Sequence, residues 1–205
     1  MTYFRKQQRC STPNKKIALI IASEGYSHQQ YIKVRELLES CGIKVVTVSD
    51  RSGGATSQEG ESALIEYTLE KLMVGDFDGI FFIGGVGAIK LLPDHHSGSG
   101  ERACNCLDHG VSYAKISEAK KLKIPYGAID TSVRILAKCY ALEGKKATGW
   151  DDDQVLFGLL TQYGAQYQKN HDIVTDDLVV TARANAIEAF AEGIRRVLNR
   201  VALKK

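Results

Sequence analysis

Two sets of residues in this sequence have types and spacings suited to chemistry. The first centres on Asp130 in IPYGAIDTSVRILAKCYALEG, where an apolar segment of strand length passes through a single carboxylate into an amphipathic segment. Open α/β sheets gather ligands and catalytic groups at the carboxyl ends of their strands, and Asp130 falls at such an end. A carboxylate there can act as a base or nucleophile if a metal or an acid partner stands beside it. Glu24, His28 and the histidines of a later insertion are the candidates for that partner. The plainer role is a helix N-cap, for which aspartate is among the best residues. The second set lies in PDHHSGSGERACNCLDHG, where His95, His96, Cys104, Cys106 and His109, with Asp108, are ligand types that suit zinc. Against zinc, Cys104-x-Cys106 is tighter than the usual zinc-knuckle spacing, and adjacent histidines in a Gly/Ser-rich loop are often simply solvated.

Composition narrows the class of protein. A chain of 205 residues with 44% apolar and 25% charged content is long enough for one globular domain with a substantial core. Its formal charge of +3 is spread along the chain, without the basic stripe and interleaved aromatics of a nucleic-acid surface, so no nucleic-acid partner is expected. No segment reaches the roughly 18 consecutive apolar residues of a membrane span, and no signal-peptide core opens the chain. A soluble, cytoplasmic protein with no membrane partner is the expectation. Five cysteines, Cys10, Cys41, Cys104, Cys106 and Cys139, are scattered and odd in number, which fits a reducing compartment. Cys41 and Cys139 read as small buried hydrophobes. Gly85-Val86-Gly87 opens like a dinucleotide fingerprint, but the sixth position is Lys90 where a glycine or alanine is needed.

The elements that must position these residues follow an alternating pattern. Residues 1–14 show neither helical nor strand period and read as a flexible arm, with residues 15–205 as a single domain. KIALIIA is a continuous apolar run of strand length, Gln29 to Cys41 has helical spacing with Gly42 as a stop, and IKVVTVS is a second buried strand. That order implies a parallel sheet with helical crossovers. GDFDGIFFIGG gives a third strand, VSYAKISEAKKLK a helix, IPYGAID a strand, and SVRILAKCYALEG a helix running to its glycine. DDQVLFGLLTQYG is helical, HDIVTDDLVVTAR reads as a hairpin turning near Asp176 and Asp177, and ANAIEAFAEGIRRVLNRVALKK closes the chain as a helix. The insertion at 93–110 leaves the end of the third strand, where long loops are more often functional than decorative.

This order and spacing resemble the DJ-1/PfpI superfamily, whose flavodoxin-like sheet is shared with class I glutamine amidotransferases. The resemblance runs from Lys15 to Leu198. It is carried by KIALIIASEGYSHQQYIKVRELLESCGIKVVTVS, FDGIFFIGGVGA, IPYGAIDTSVRILAKCYALEGKKAT and DDLVVTARANAIEAFAEGIRRVL. It implies a three-layer α/β/α sandwich around a mostly parallel sheet, and a homodimer. It also implies a nucleophile elbow of the form A-I-C-H-G, at which this chain reads Ala128-Ile129-Asp130-Thr131-Ser132. The glutamate that the family sets beside its cysteine corresponds to Gln30. Backbone N–H groups near Gly85 and Thr131 would form the family's oxyanion hole, Trp150 would cover the pocket and Arg183 would stand at its edge, with a carboxylate of the fold as its first partner. Asp130 is thus expected in a pocket lined by Gln30, Glu24, Gly85, Val86, Thr131, Trp150 and Arg183. An amide facing the carboxylate avoids the shared proton that a glutamate would impose. The expectation is a small-molecule-binding or stress-related module without thiol chemistry and without an organic cofactor. The alternative is a glyoxalase- or amidase-like hydrolase or lyase acting on small carbonyl compounds, with Asp130 as base or nucleophile.

Overall fold

The structure is a computed structural model that describes residues 14–92, 110–150 and 152–202. His95, His96, Cys104, Cys106 and His109, and all of the N-terminal arm but Asn14, lie outside the described residues. In chain order the elements are β1 (Lys16–Ile20), β2 (Glu24–Tyr26), α1 (His28–Glu39), β3 (Lys44–Ser49), β4 (Gly53–Ser57), β5 (Ser62–Ile65), β6 (Tyr67–Thr68) and β7 (Gly79–Phe82). They continue with α2 (Gly110–Leu122), β8 (Tyr126–Ile129), α3 (Val133–Lys138), β9 (Lys146–Ala147), α4 (Asp153–Gln162), β10 (Gln166–Tyr167), β11 (Ile173–Asp176), β12 (Val179–Ala182) and α5 (Ile187–Ala202).

Seven strands form the main sheet in the order β11-β12-β8-β7-β1-β3-β6, parallel throughout except for the β11–β12 hairpin. Every position of β7, β8 and β12 is buried, as in strands covered on both faces. Side chains alternate between two cores with the period of a strand. Ala18, Ile20, Ile80 and Phe82 join the core under α2, α3 and α4, while Ile17, Leu19, Phe81 and Ile83 join the core under α1 and α5. Phe81 meets Phe190 of α5 edge to face, with ring centroids 6.3 Å apart. The result is the expected α/β/α sandwich. Two small sheets, β2-β4-β5 and β9-β10, flank it; their short, partly exposed strands carry no long apolar run to announce them.

Two helix ends have the same hydrogen-bond pattern with different residues. After α1, Gly42 at φ +79° donates to Glu39 O and Ile43 donates to Leu38 O, closing a Schellman motif at the glycine stop. After α3, Tyr140 at φ +52° donates to Ala137 O and Ala141 donates to Leu136 O in the same arrangement. The helix expected to run to Gly144 therefore ends at Lys138. Cys139 is a buried thiol, but Cys41 is only partly buried and is disulfide-bonded, so the expectation of two small buried hydrophobes holds for Cys139 alone. A disulfide also runs against the reducing compartment read from the cysteine pattern.

Candidate functional site

β8 and β7 are central parallel neighbours, so the residues after Ile129 and those after Phe82 emerge side by side at the carboxyl edge of the sheet. The chain leaves β8 through Asp130, whose φ of +62° puts a non-glycine residue in the left-handed region. Helix α3 takes Ser132 as its N-cap, so capping does not account for the Asp130 carboxylate. Its Oδ2 instead accepts a hydrogen bond from Gln30 Nε2 at 3.0 Å. Gln30 is buried on α1 and held at both ends of its amide: Oε1 accepts from Gly84 N–H at 3.1 Å, and Nε2 also donates to Ala184 O at 3.4 Å. Only glycine fits at residue 84. A Cβ there would stand 2.6 Å from both Cβ and Oδ2 of Asp130 and 2.8 Å from Gln30 Oε1.

One residue along, the Thr131 hydroxyl accepts from Gly85 N–H at 3.0 Å and donates to Gly85 C=O at 2.8 Å. Ser132 Oγ donates to Ile83 O at 2.6 Å, which ties the start of the helical segment to the end of β7. One of the two backbone donors that the oxyanion reading relies on, Gly85 N–H, is thus already bonded to a side chain of the same site. Trp150 lies half-buried, with the Arg134 guanidinium 4.1 Å from its ring centroid. Burial lowers the pKa of Arg134, and the charge of Asp130 acts in the opposite direction. Arg134 was not anticipated from the sequence. Its signal was its place four residues after Asp130, within one helical turn.

The other expected pocket residues serve different neighbourhoods. Glu24 is exposed and pairs with Lys90 and, at 3.8 Å, with Arg51; its hydrogen bond to Lys90 is the main cause holding its carboxyl below the usual range. Val86 is exposed, and its N–H donates to Gln58 Oε1 at 3.2 Å. The backbone N–H of His28 donates to Glu59 Oε2 at 3.1 Å, and its ring faces Tyr26. Arg183 pairs with Asp153 at 2.6 Å and donates to Tyr167 Oη and Lys169 O, both at 2.8 Å, so its first partner is a carboxylate of α4. Among the described residues no group of three or more His, Cys, Asp or Glu side chains is placed to hold a metal, and the proposed zinc ligands lie outside them.

Comparison with known proteins gives a consistent picture. The family model described as DJ-1/PfpI family matches residues 15–196. An uncharacterized protein of Methanocaldococcus jannaschii is 24% identical over 178 residues, covering 87% of this chain and 79% of that protein. A ThiJ/PfpI domain protein from Brachyspira murdochii superimposes with a TM-score of 0.78 at 20% identity, over 90% of this chain and 96% of that one. A DJ-1 superfamily protein from Agrobacterium tumefaciens gives 0.73 at 19% identity, over 90% of each chain. DJ-1beta of Drosophila melanogaster gives 0.67 at 19% identity, over 92% and 98%. Among the described residues no helix is long and apolar enough to cross a membrane.

Proposed function

Because the chain belongs to the DJ-1/PfpI family, we propose that Asp130 occupies the place of the family's nucleophilic cysteine and turns the site into a fixed anionic pocket that binds small molecules without thiol chemistry. One observation carries this reading: Gln30 Nε2 donates to Asp130 Oδ2 at 3.0 Å. An amide donor stabilises the carboxylate and cannot take up its proton, so the pair lacks the acid–base couple that turnover needs. The occupied Gly85 N–H supports the same reading, because an acyl transition state relies on a free donor there. The ligand class that suits such a site is a small molecule with a positively charged or hydrogen-bond-donating group.

A second reading, a hydrolase or lyase on small carbonyl compounds with Asp130 as base or nucleophile, draws on the left-handed backbone of Asp130, since local strain is often retained at reactive positions. One assay panel separates the two. Methylglyoxal, amide and peptide substrates are offered to the native protein and to Asp130→Asn, alongside thermal-shift screening with small amines. Absence of turnover, with amine-induced stabilisation that disappears in Asp130→Asn, is the expected result. Turnover that disappears in Asp130→Asn establishes the enzyme instead. We also infer a homodimer; exposed Leu64 and Met73 give the protein apolar surface available for self-association.

A further inference from the structure

The Asp130 site lies at the carboxyl ends of the strands; the amino ends carry a separate feature. Between the last turns of α2 and α5 and the first residues of β8 and β12 lies a groove of about 660 Å³. Its floor is apolar, with Ile124, Leu178 and Val201, and its rim carries Lys120, Lys123, Lys145 and Arg200 against a single acid, Asp177. Lys120 is already engaged, donating to Tyr140 O at 3.0 Å. Lys123, Lys145 and Arg200 have no ion-pair partner among the described residues. The carboxyl ends of two helices point here, each equivalent to about half a negative charge. Together with Asp177 they offset about two of the four cations, which leaves an excess of positive charge over an apolar floor.

The rim is also preorganised. Lys123 takes φ +57° and donates to Lys120 O, while Ile124 donates to Ala119 O, so a Schellman motif fixes one residue at the rim and the next on the floor. A second depression of about 310 Å³ shares Lys123, Ile124 and Val201 and extends along Phe77, Leu122 and Pro125. Of its acids Asp76 and Asp78, Asp78 is paired with Lys15 at 2.8 Å, and the Lys16 ammonium lies 4.2 Å from the Phe77 ring centroid, so this end is close to charge-balanced. We propose that this groove binds an aliphatic carboxylate, its anionic group among the unpaired cations and its chain running toward Phe77.

Octanoate is the probe, titrated calorimetrically into the native protein. The expected result is saturable one-to-one binding, with octanamide bound at least tenfold more weakly. Lys123→Glu and Lys145→Glu each weaken octanoate at least fivefold while leaving the circular dichroism spectrum unchanged, and Asp130→Asn leaves its affinity unchanged, so that this site is tested independently of the other. No saturation by 10-millimolar-order probe, equal affinity for octanamide, full binding by the charge-reversed variants, or loss of binding in Asp130→Asn would each overturn the proposal.

Discussion

The carboxylate at residue 130 and the amide at residue 30 are a hundred positions apart in sequence, and their contact depends on a third residue with no side chain. Gly84 lets the two approach, and its N–H orients Gln30. Gly84→Ala is therefore expected to cost about 1–3 kcal/mol through overpacking, read from urea unfolding, and to weaken amine binding beyond what the stability loss alone explains. Thr131 offers an independent test. Thr131→Val keeps the shape but leaves the buried Gly85 N–H unpaired, at a cost of about 1–3 kcal/mol, while Gly85 C=O keeps its bond from Ala88 N–H; Thr131→Ser retains most of the stability. Asp130 was legible in the sequence as a carboxylate at a strand end, and Gln30 by its counterpart in the family. The closure of Gly85 by Thr131 was not, because a hydroxyl beside a glycine carries no sequence signal until β7 and β8 bring the two together. Glu24 shows the converse. It is close in sequence to the site, yet its carboxylate is drawn outward by Lys90 and Arg51, two cations that sequence distance did not connect to it.

Among the elements, the long apolar strands and their order were readable because strands buried on both faces leave continuous hydrophobic runs. The short strands of the flanking sheets left no such run, and residues 51–74 carried no assignment. Helix ends depended on which residue held the left-handed position. Glycine at residue 42 announced the end of α1, whereas Tyr140 ends α3 without a marker. The two substitutions should differ accordingly. Gly42→Ala is expected to destabilise by about 1–2 kcal/mol, the penalty for a side chain in that backbone region. In Tyr140→Gly the same relief is countered by loss of the edge-on contact with Tyr163 at 5.3 Å, worth about 0.5–1.5 kcal/mol. Its net change in thermal unfolding should be small.

For the molecule as a whole, the acid limb of stability draws on pairs that join distant elements. The Asp153 carboxyl is held below its ordinary value, first by the Tyr167 hydroxyl and then by Arg183, so it contributes stability above the unfolded carboxyl pKa and loses it as pH falls through the folded value. Arg183→Ala should therefore flatten the fall in stability below about pH 4, as followed by urea midpoints across pH. The inferred dimer predicts a sedimenting species of twice the 22.5 kDa chain; a monomer at micromolar concentration would remove that inference and leave the site unaffected. The central claim, that residue 130 stands on the nucleophile's perch beside an amide donor and near a guanidinium, is tested most directly by placing a thiol there. In Asp130→Cys, and in Asp130→Cys with Gln30→Glu, alkylation of the introduced thiol by iodoacetamide is mapped by mass spectrometry at neutral pH. The prediction is a rate at least tenfold above that of an unstructured cysteine peptide, as a hydrogen-bonded thiolate near Arg134 requires. A rate equal to or below that of the peptide in both folded variants would contradict it.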